Sequence, residues 1–177
     1  MDCPHPLWLK FLDESSKIII ASTAAVCFYT RSAGVIYFAA GAVACALSAK
    51  ICKMVIKQER PAHASKVTYG MPSTHASACM FFAAYSTLAN LYLPPHPSLH
   101  PVAAHVSIFI PPLAGIIVLS RVWLGHHTRP QIAAGTAFGV LFASIWFKLW
   151  IDDVARVRSL GWEAEQLVQS FLTGRTG

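Results

Sequence analysis

Apolar residues in this chain gather into long runs separated by short polar or proline-containing breaks. A membrane-spanning helix needs about 20 predominantly apolar residues, and four runs approach that length, at positions 33–56 (polar only towards its end), 76–93, 101–119 and 132–151. A fifth, at 18–30, is shorter and reaches back through Ser15. The pattern predicts about five spanning helices. Arg31, Ser32 and Gly34 mark the first turn. Pro61 is expected to end the second helix and Pro94-Pro95 the third, because proline lacks an amide and clashes with the preceding turn. Pro111-Pro112 falls inside the fourth run and predicts a kink. Gly135 and Gly139 form a small-xxx-small pair that lets the fifth helix approach a neighbour closely.

Beyond position 151 the character changes. Asp152, Asp153, Arg156 and Arg158 leave the apolar core, and Trp162, Leu167, Val168, Phe171 and Leu172 then recur at roughly helical spacing. That spacing predicts a short amphipathic helix at the membrane interface, or one packed on the bundle, with 174–177 fraying. The expected fold is all-α, a polytopic transmembrane bundle. It forms a single membrane-embedded domain over 1–177: an N-terminal interfacial segment (1–17), a helical core (18–151) and an amphipathic tail (152–177). Neither an internal repeat nor a low-complexity tract is present, and no cleavable signal peptide is evident. Threading five helices from one side brings the polar stretches 53–75 and 121–131 to one membrane face, with the N-terminus beside them and the C-terminus opposite.

Composition sharpens this picture. Hydrophobic residues make up 55% of the 177 positions and charged residues 12%, against about 25% charged in an ordinary soluble domain. The net charge of +6, from 14 basic and 8 acidic residues, raises nucleic acid as a partner. The basic residues, however, are not spread over a soluble face. Lys50, Lys53, Lys57, Arg60 and Lys66 follow one apolar run, and Arg121 and Arg129 another. That clustering fits a polar site at the bilayer surface better than a nucleic-acid groove, so no nucleic-acid partner is expected. The 5 cysteines (Cys3, Cys27, Cys45, Cys52, Cys79) contain no CxxC pair and read as small hydrophobes with free thiols.

The polar breaks carry the candidate chemistry in three clusters: Lys53-x6-Arg60-Pro61, Pro72-Ser73-Thr74-His75, and Ser120-Arg121-x5-His127 with Gln131 four residues on. Arg60 and Arg121 offer planar forks suited to phosphoryl oxygens, and Lys53 adds a point charge. Lys53 alone also reads as a snorkelling lysine at a helix end. Ser73 precedes an apolar helical run and reads as an N-cap. The same helix start presents the amides of Thr74 and His75, and a positive dipole end, to an anion. His75 and His127 taken singly could be packed core histidines. Two of them among three phosphate binders suit phosphoryl transfer, in which one group attacks phosphorus and another protonates the leaving group. An imidazole, with its usual pKa near 6.5, serves either role.

Together the clusters resemble the signature of the type-2 phosphatidic acid phosphatase superfamily, K-x6-RP, PSGH and SR-x5-H-x3-D, in the right order and on apolar helices. The resemblance implies that His127 is the nucleophile that forms a phosphohistidine and that His75 protonates the leaving group. It also implies that Lys53, Arg60, Ser73, the Thr74 amide and Arg121 bind the phosphoryl oxygens, with no cofactor and no metal. His126 is adjacent, but the spacing from Arg121 selects His127, and His126 is expected to line the mouth. Thr74 replaces the usual glycine, which a backbone contact tolerates. Gln131 replaces the usual aspartate; its carbonyl still accepts the imidazole proton but stabilises imidazolium less.

Within the superfamily, the stretch from Tyr69 through Gly70, Met71, Pro72, Ser73 and Thr74 to His75 looks like the dolichyl diphosphatase branch. So do Phe81-Phe82, Tyr85-Ser86, Ser120-Arg121-Val122, His127-Thr128 and the glutamine itself. This branch implies removal of the terminal phosphate of a polyprenyl diphosphate in the endoplasmic reticulum membrane. The chain is shorter than that branch suggests, which keeps a shorter prenyl diphosphate such as farnesyl diphosphate, or a broader range of lipid phosphates, as an alternative. A catalytically lost membrane scaffold is a third reading, with Gln131 as its support, and a zinc site on His75, His126 and His127 leaves the cations unexplained. A homo-oligomer is compatible with the pattern. Activity is expected to fall at acidic pH as His127 protonates and at alkaline pH as His75 deprotonates.

Overall fold

The computed structural model describes residues 6–62, 64, 68–94 and 107–173. Cys3, Lys66, Pro95, the opening of the fourth apolar run and the last four residues lie outside these. Every regular element among the described residues is helical. In order they are α1 (Leu7–Asp13), α2 (Ser15–Thr30), α3 (Ala33–Ile56), α4 (Thr74–Tyr92), α5 (Ile110–Trp123), α6 (Arg129–Ile151) and α7 (Val157–Thr173), with a 3-10 turn at Val154–Arg156.

Helix boundaries follow local chemistry, with two departures from the sequence reading. The first break stands where expected: Arg31 adopts the left-handed conformation and its amide closes on the Cys27 carbonyl at 2.9 Å. The next helix, α3, stops at Ile56, well before Pro61. Left-handed Lys57 terminates it by donating to the Lys53 carbonyl at 3.1 Å. Pro111 and Pro112 do not kink a longer helix; they occupy the first turn of α5. Amides there have no intrahelical acceptor in any case, so two prolines are tolerated where an interior position would lose two hydrogen bonds.

Five spans are not all visible by length. Only α3 and α6, at 24 and 23 residues, are long and apolar enough to cross a bilayer among the described helices. By contrast, α2 and α5 have 16 and 14 residues, and at about 1.5 Å per residue fall short of a core about 30 Å thick. The central helix, α4, is less apolar because it carries Ser77, Ser86, Thr87 and Asn90. The hydroxyls of Ser77, Ser86 and Thr87 bond carbonyls one turn back, as Thr87 does to Ala83 at 2.8 Å.

Around α4 pack α3, α5 and α6. Its closest seam is with α6, where Gly135 and Gly139 make room: a Cβ on Gly135 would stand 2.6 Å from the Ser73 carbonyl oxygen. One core cluster joins Leu12 of α1 to Ala76, Cys79, Ala114, Ile117, Val118 and Ile132. The other centres on Phe81, fully buried, with Cys45, Tyr85, Ala143 and Phe147. A reciprocal pair ties α3 to α6: Tyr37 Oη donates to the Trp146 carbonyl at 3.0 Å and Trp146 Nε1 to the Tyr37 carbonyl at 3.1 Å. Cys27, Cys45, Cys52 and Cys79 are free thiols.

Outside this core the surface is apolar. Val43, Leu47, Ile51 and Val55 of α3 and Leu141 and Ile145 of α6 are more than half exposed, and only 17% of the α3 span and 28% of the α6 span is buried. The core helix of a water-soluble protein would be buried, and an apolar exterior of this extent suits lipid. At the end away from the polar loops, Asp153 caps α7 by accepting from the amides of Arg158 and Ser159 at 2.8 and 3.1 Å. A Glu165 carboxylate oxygen on α7 accepts the Ala33 amide at 2.8 Å, which ties the amphipathic helix to the start of α3.

Candidate active site

The loops after α3 and after α5 meet, as the threading predicts. At the end of α5 the Arg121 carbonyl accepts two amides, His126 at 3.0 Å and His127 at 3.1 Å, and Gly125 supplies the positive φ that turns the chain. This reversal gives the x5 spacing its geometry: it sets His127, 5% exposed, beside the helix that carries Arg121.

Gln131 then orients the imidazole. Thr128 is the N-cap of α6, and Gln131 in the first turn folds back so that its Oε1 accepts the Thr128 amide at 3.2 Å, a capping box. On its other side Nε2 donates to the Glu59 carbonyl at 2.7 Å and to Gln58 Oε1 at 3.2 Å. A backbone donor on one side and a backbone acceptor on the other leave the amide only one orientation. Oε1, 3.2 Å from His127 Nδ1, must therefore accept a hydrogen bond from Nδ1–H. That fixes the tautomer and leaves Nε2 with the lone pair. Arg60 meets that lone pair: its Nη1 lies 3.2 Å from Nε2 and also donates to the His126 carbonyl at 3.1 Å, while its Nε donates to the Thr68 carbonyl at 2.8 Å.

The electrostatics keep His127 neutral. Burial, then the charge of Arg60, push its pKa down to about 4; the Gln131 hydrogen bond opposes this only in part, and Lys53 and His126 add to the depression. A neutral imidazole that keeps its lone pair on Nε2, where Arg60 Nη1 now meets it, can act as a nucleophile once that contact passes to a phosphoryl oxygen. Burial, with the nearby Arg121 charge, also lowers Arg60. The two guanidiniums are therefore near enough for each charge to act on the other.

The second cluster abuts the third. Ser73, fully buried, caps α4 with its Oγ accepting the Ala76 amide at 3.4 Å, and its own amide donates to the Gln131 carbonyl at 3.2 Å. The start of α4, where the first-turn amides of Thr74 and His75 stand, is thus held against the first turn of α6. Thr74 Oγ1 is buried and makes no hydrogen bond among the described residues. Lys53, half-buried in the last turn of α3, acts on His127 through its charge. His75 lines one end of an apolar cleft of about 340 Å³ between α2, α3 and α4, with walls that include Ile19, Ala24, Ala42, Ala46 and Phe82. Among the described residues no group of three or more His, Cys, Asp or Glu is placed to hold a metal ion, so His75, His126 and His127 do not form a ligand set.

Sequence reasoning missed Asp13, Gln58 and Glu59. The guanidinium of Arg121, 6% exposed, donates from Nη2 to Asp13 Oδ1 at 2.7 Å, and His126 Nε2 lies 3.4 Å from the same oxygen. His126 therefore faces this carboxylate. The signal for Asp13 was its place at the polar-loop end of the threading; Glu59 acts through its carbonyl, which no side-chain pattern reveals.

With this geometry in place the class is defined. The sequence profile of the PAP2 superfamily matches residues 29–154, and the chain belongs to that superfamily. Dolichyldiphosphatase 1 of Rhinolophus ferrumequinum is 33% identical over 149 residues, which cover 78% of this chain and 62% of that protein. The Homo sapiens protein of the same name is 32% identical over the same shares. A chloroplastic lipid phosphate phosphatase epsilon 1 of Arabidopsis thaliana is 29% identical over 56% of this chain and 35% of its own length. The chain thus spans about three fifths of the dolichyldiphosphatases it matches. A solved transmembrane PAP2-type phosphatidylglycerolphosphate phosphatase from Bacillus subtilis shares the fold, with a TM-score of 0.61 over 85% of this chain and 80% of that one, at 18% identity.

Proposed function

We propose that this chain is an integral membrane phosphatase that removes the terminal phosphate of a polyprenyl diphosphate through a phosphohistidine on His127, with no metal ion. The observation that carries the reading is the pairing of a neutral, oriented imidazole with two neighbouring guanidiniums, next to an apolar cleft that starts at His75. In this reading Lys53, Arg60, Arg121, Ser73 and the first amides of α4, those of Thr74 and His75, hold the terminal phosphoryl group. His127 Nε2 attacks the phosphorus and the N–P bond forms. The bond from phosphorus to the bridging oxygen breaks, and His75 gives its proton to the departing prenyl monophosphate. His75 then takes a proton from water, whose oxygen attacks the phosphohistidine; the N–P bond breaks and inorganic phosphate leaves. Gln131 accepts the Nδ1–H hydrogen bond throughout.

The cleft would take the first isoprene units of the tail, and the apolar exterior of α3 and α6 supports residence in a bilayer that α2 to α6 traverse as a bundle. The names of the dolichyldiphosphatase relatives favour a dolichyl-type, long-chain diphosphate, and the motif resemblance to that branch is what favours the endoplasmic reticulum membrane. The lipid phosphate phosphatase relative favours a second reading, a broader lipid phosphatase.

The test is phosphate release by purified protein in detergent with EDTA, comparing a long polyprenyl diphosphate, farnesyl diphosphate and phosphatidic acid. Preference for the long chain and inhibition by vanadate are expected. Preference for farnesyl diphosphate or phosphatidic acid would move the substrate. Activity lost to EDTA and restored by zinc or magnesium would overturn the metal-free mechanism. No release from any of the three by folded protein would favour the scaffold.

A further inference from the structure

Arg121 is a buried cation, and a buried cation is costly without a partner. Its partner comes from outside the three motifs. Asp13, the last residue of α1, meets Arg121 Nη2 at 2.7 Å, while the Leu12 carbonyl lies 3.5 Å from the same nitrogen. The same carboxylate oxygen stands 3.4 Å from His126 Nε2. Arg121 Nε is buried and makes no hydrogen bond among the described residues, which leaves a donor for an incoming phosphoryl oxygen.

The carboxylate does not owe its position to the ion pair alone. Leu9 and Leu12 of α1 are buried, and Leu12 belongs to the same core cluster as Ile117 and Val118 of α5. Trp8 packs edge-on against Trp123 with ring centroids 6.0 Å apart. A short helix anchored by apolar contacts therefore delivers an anion to the back of the phosphate-binding arginine. Asp13 itself is 43% exposed, so its ionised form keeps much of its hydration.

We infer that Asp13 is a positioning residue for phosphoryl transfer: it holds one nitrogen of Arg121 so that the rest of the guanidinium stays aimed at substrate phosphate, and it anchors His126 in the same step. The inference rests on the phosphatase reading and makes α1 part of the working site.

Asp13→Ala and Asp13→Asn separate geometry from charge, since the amide keeps an oxygen for Arg121 Nη2 and removes the charge. In the full-length protein, Asp13→Ala is expected to raise KM and lower kcat/KM on the order of 10- to 100-fold, the range a misaimed binding group costs. Asp13→Asn is expected to recover most of the loss. Orthovanadate binding, read by thermal shift, should weaken in the alanine variant and persist in the asparagine variant. Tighter vanadate binding and a lower KM in both variants would make Asp13 a plug that competes with substrate, and would overturn the inference. So would wild-type kinetics in Asp13→Ala, or equal losses in both variants. Wild-type protein that binds vanadate but releases no phosphate, with binding weakened only by Asp13→Ala, would sink the phosphatase reading while keeping the part of the inference in which Asp13 aims Arg121 at an anion.

Discussion

At the residue scale, the proposed chemistry turns on a histidine whose neighbours oppose its protonation. Histidine in an unfolded chain titrates near 6.5, and His127 in the fold is pushed down to about 4 by burial and Arg60. Since kcat/KM follows the free enzyme's ionisations, its acid limb is expected near pH 4 rather than 6.5, measurable on any accepted substrate. The same shift makes stability pH-dependent. Between about 6.5 and 4 the unfolded chain takes up a proton that the folded chain refuses, so this contribution is full above pH 6.5 and is lost as pH falls towards 4.

Gln131→Glu tests the coupling from the other side. A carboxylate beside Nδ1 favours imidazolium, so the acid limb should move to higher pH, and a pH profile that stays in place would rule the coupling out. An oxygen also replaces the donor to the Glu59 carbonyl, so the optimum rate should drop by about 10-fold or more, from a buried acceptor left unpaired. His127→Ala should abolish turnover, by at least ~10³-fold for a nucleophile, while His126→Ala retains most of it. Equal losses would break the link between the x5 spacing and the nucleophile. At this scale the identity of the chemical groups was legible, because Arg60, Arg121, His75 and His127 carry it in their side chains. The partners Glu59 and Asp13 were not, since one contributes only a carbonyl and the other stands more than a hundred residues from Arg121 in sequence.

At the element scale, the α4–α6 seam connects packing to the site. Gly135 faces the carbonyl of Ser73, the residue that caps α4 and whose amide bonds Gln131. Gly135→Ala should therefore lower melting temperature in detergent modestly, by overpacking of about 1–3 kcal/mol, and lower activity disproportionately, because the residue that must shift is Ser73. Activity that falls only in step with stability would argue that the seam does not set the position of Ser73. The small-xxx-small pattern made this seam visible in advance. Helix ends were less visible. Lys57 stops α3 by taking a left-handed conformation, and Pro111-Pro112 open α5, because a proline pair suits any first turn and sequence alone does not say where that turn begins.

At the scale of the whole molecule, one end of the bundle brings together Lys53, Arg60, Arg121, His126 and His127, and the apolar cleft that His75 lines lies between α2, α3 and α4. Filling it with Ala42→Phe or Ala46→Phe should reduce turnover of long polyprenyl diphosphate more than that of a water-soluble phosphate ester. Equal effects on both substrates would separate the cleft from the tail. The order of apolar runs alone determined the all-helical class, the meeting of the two polar loops and the three motifs, since hydropathy and spacing are local properties of the chain. Tertiary structure decided which atoms touch: that Gln131 has one orientation, that Nε2 of His127 carries the lone pair, and that α1 brings Asp13 to Arg121. Each of these depends on distances between residues far apart in sequence, which only close packing of the helices sets.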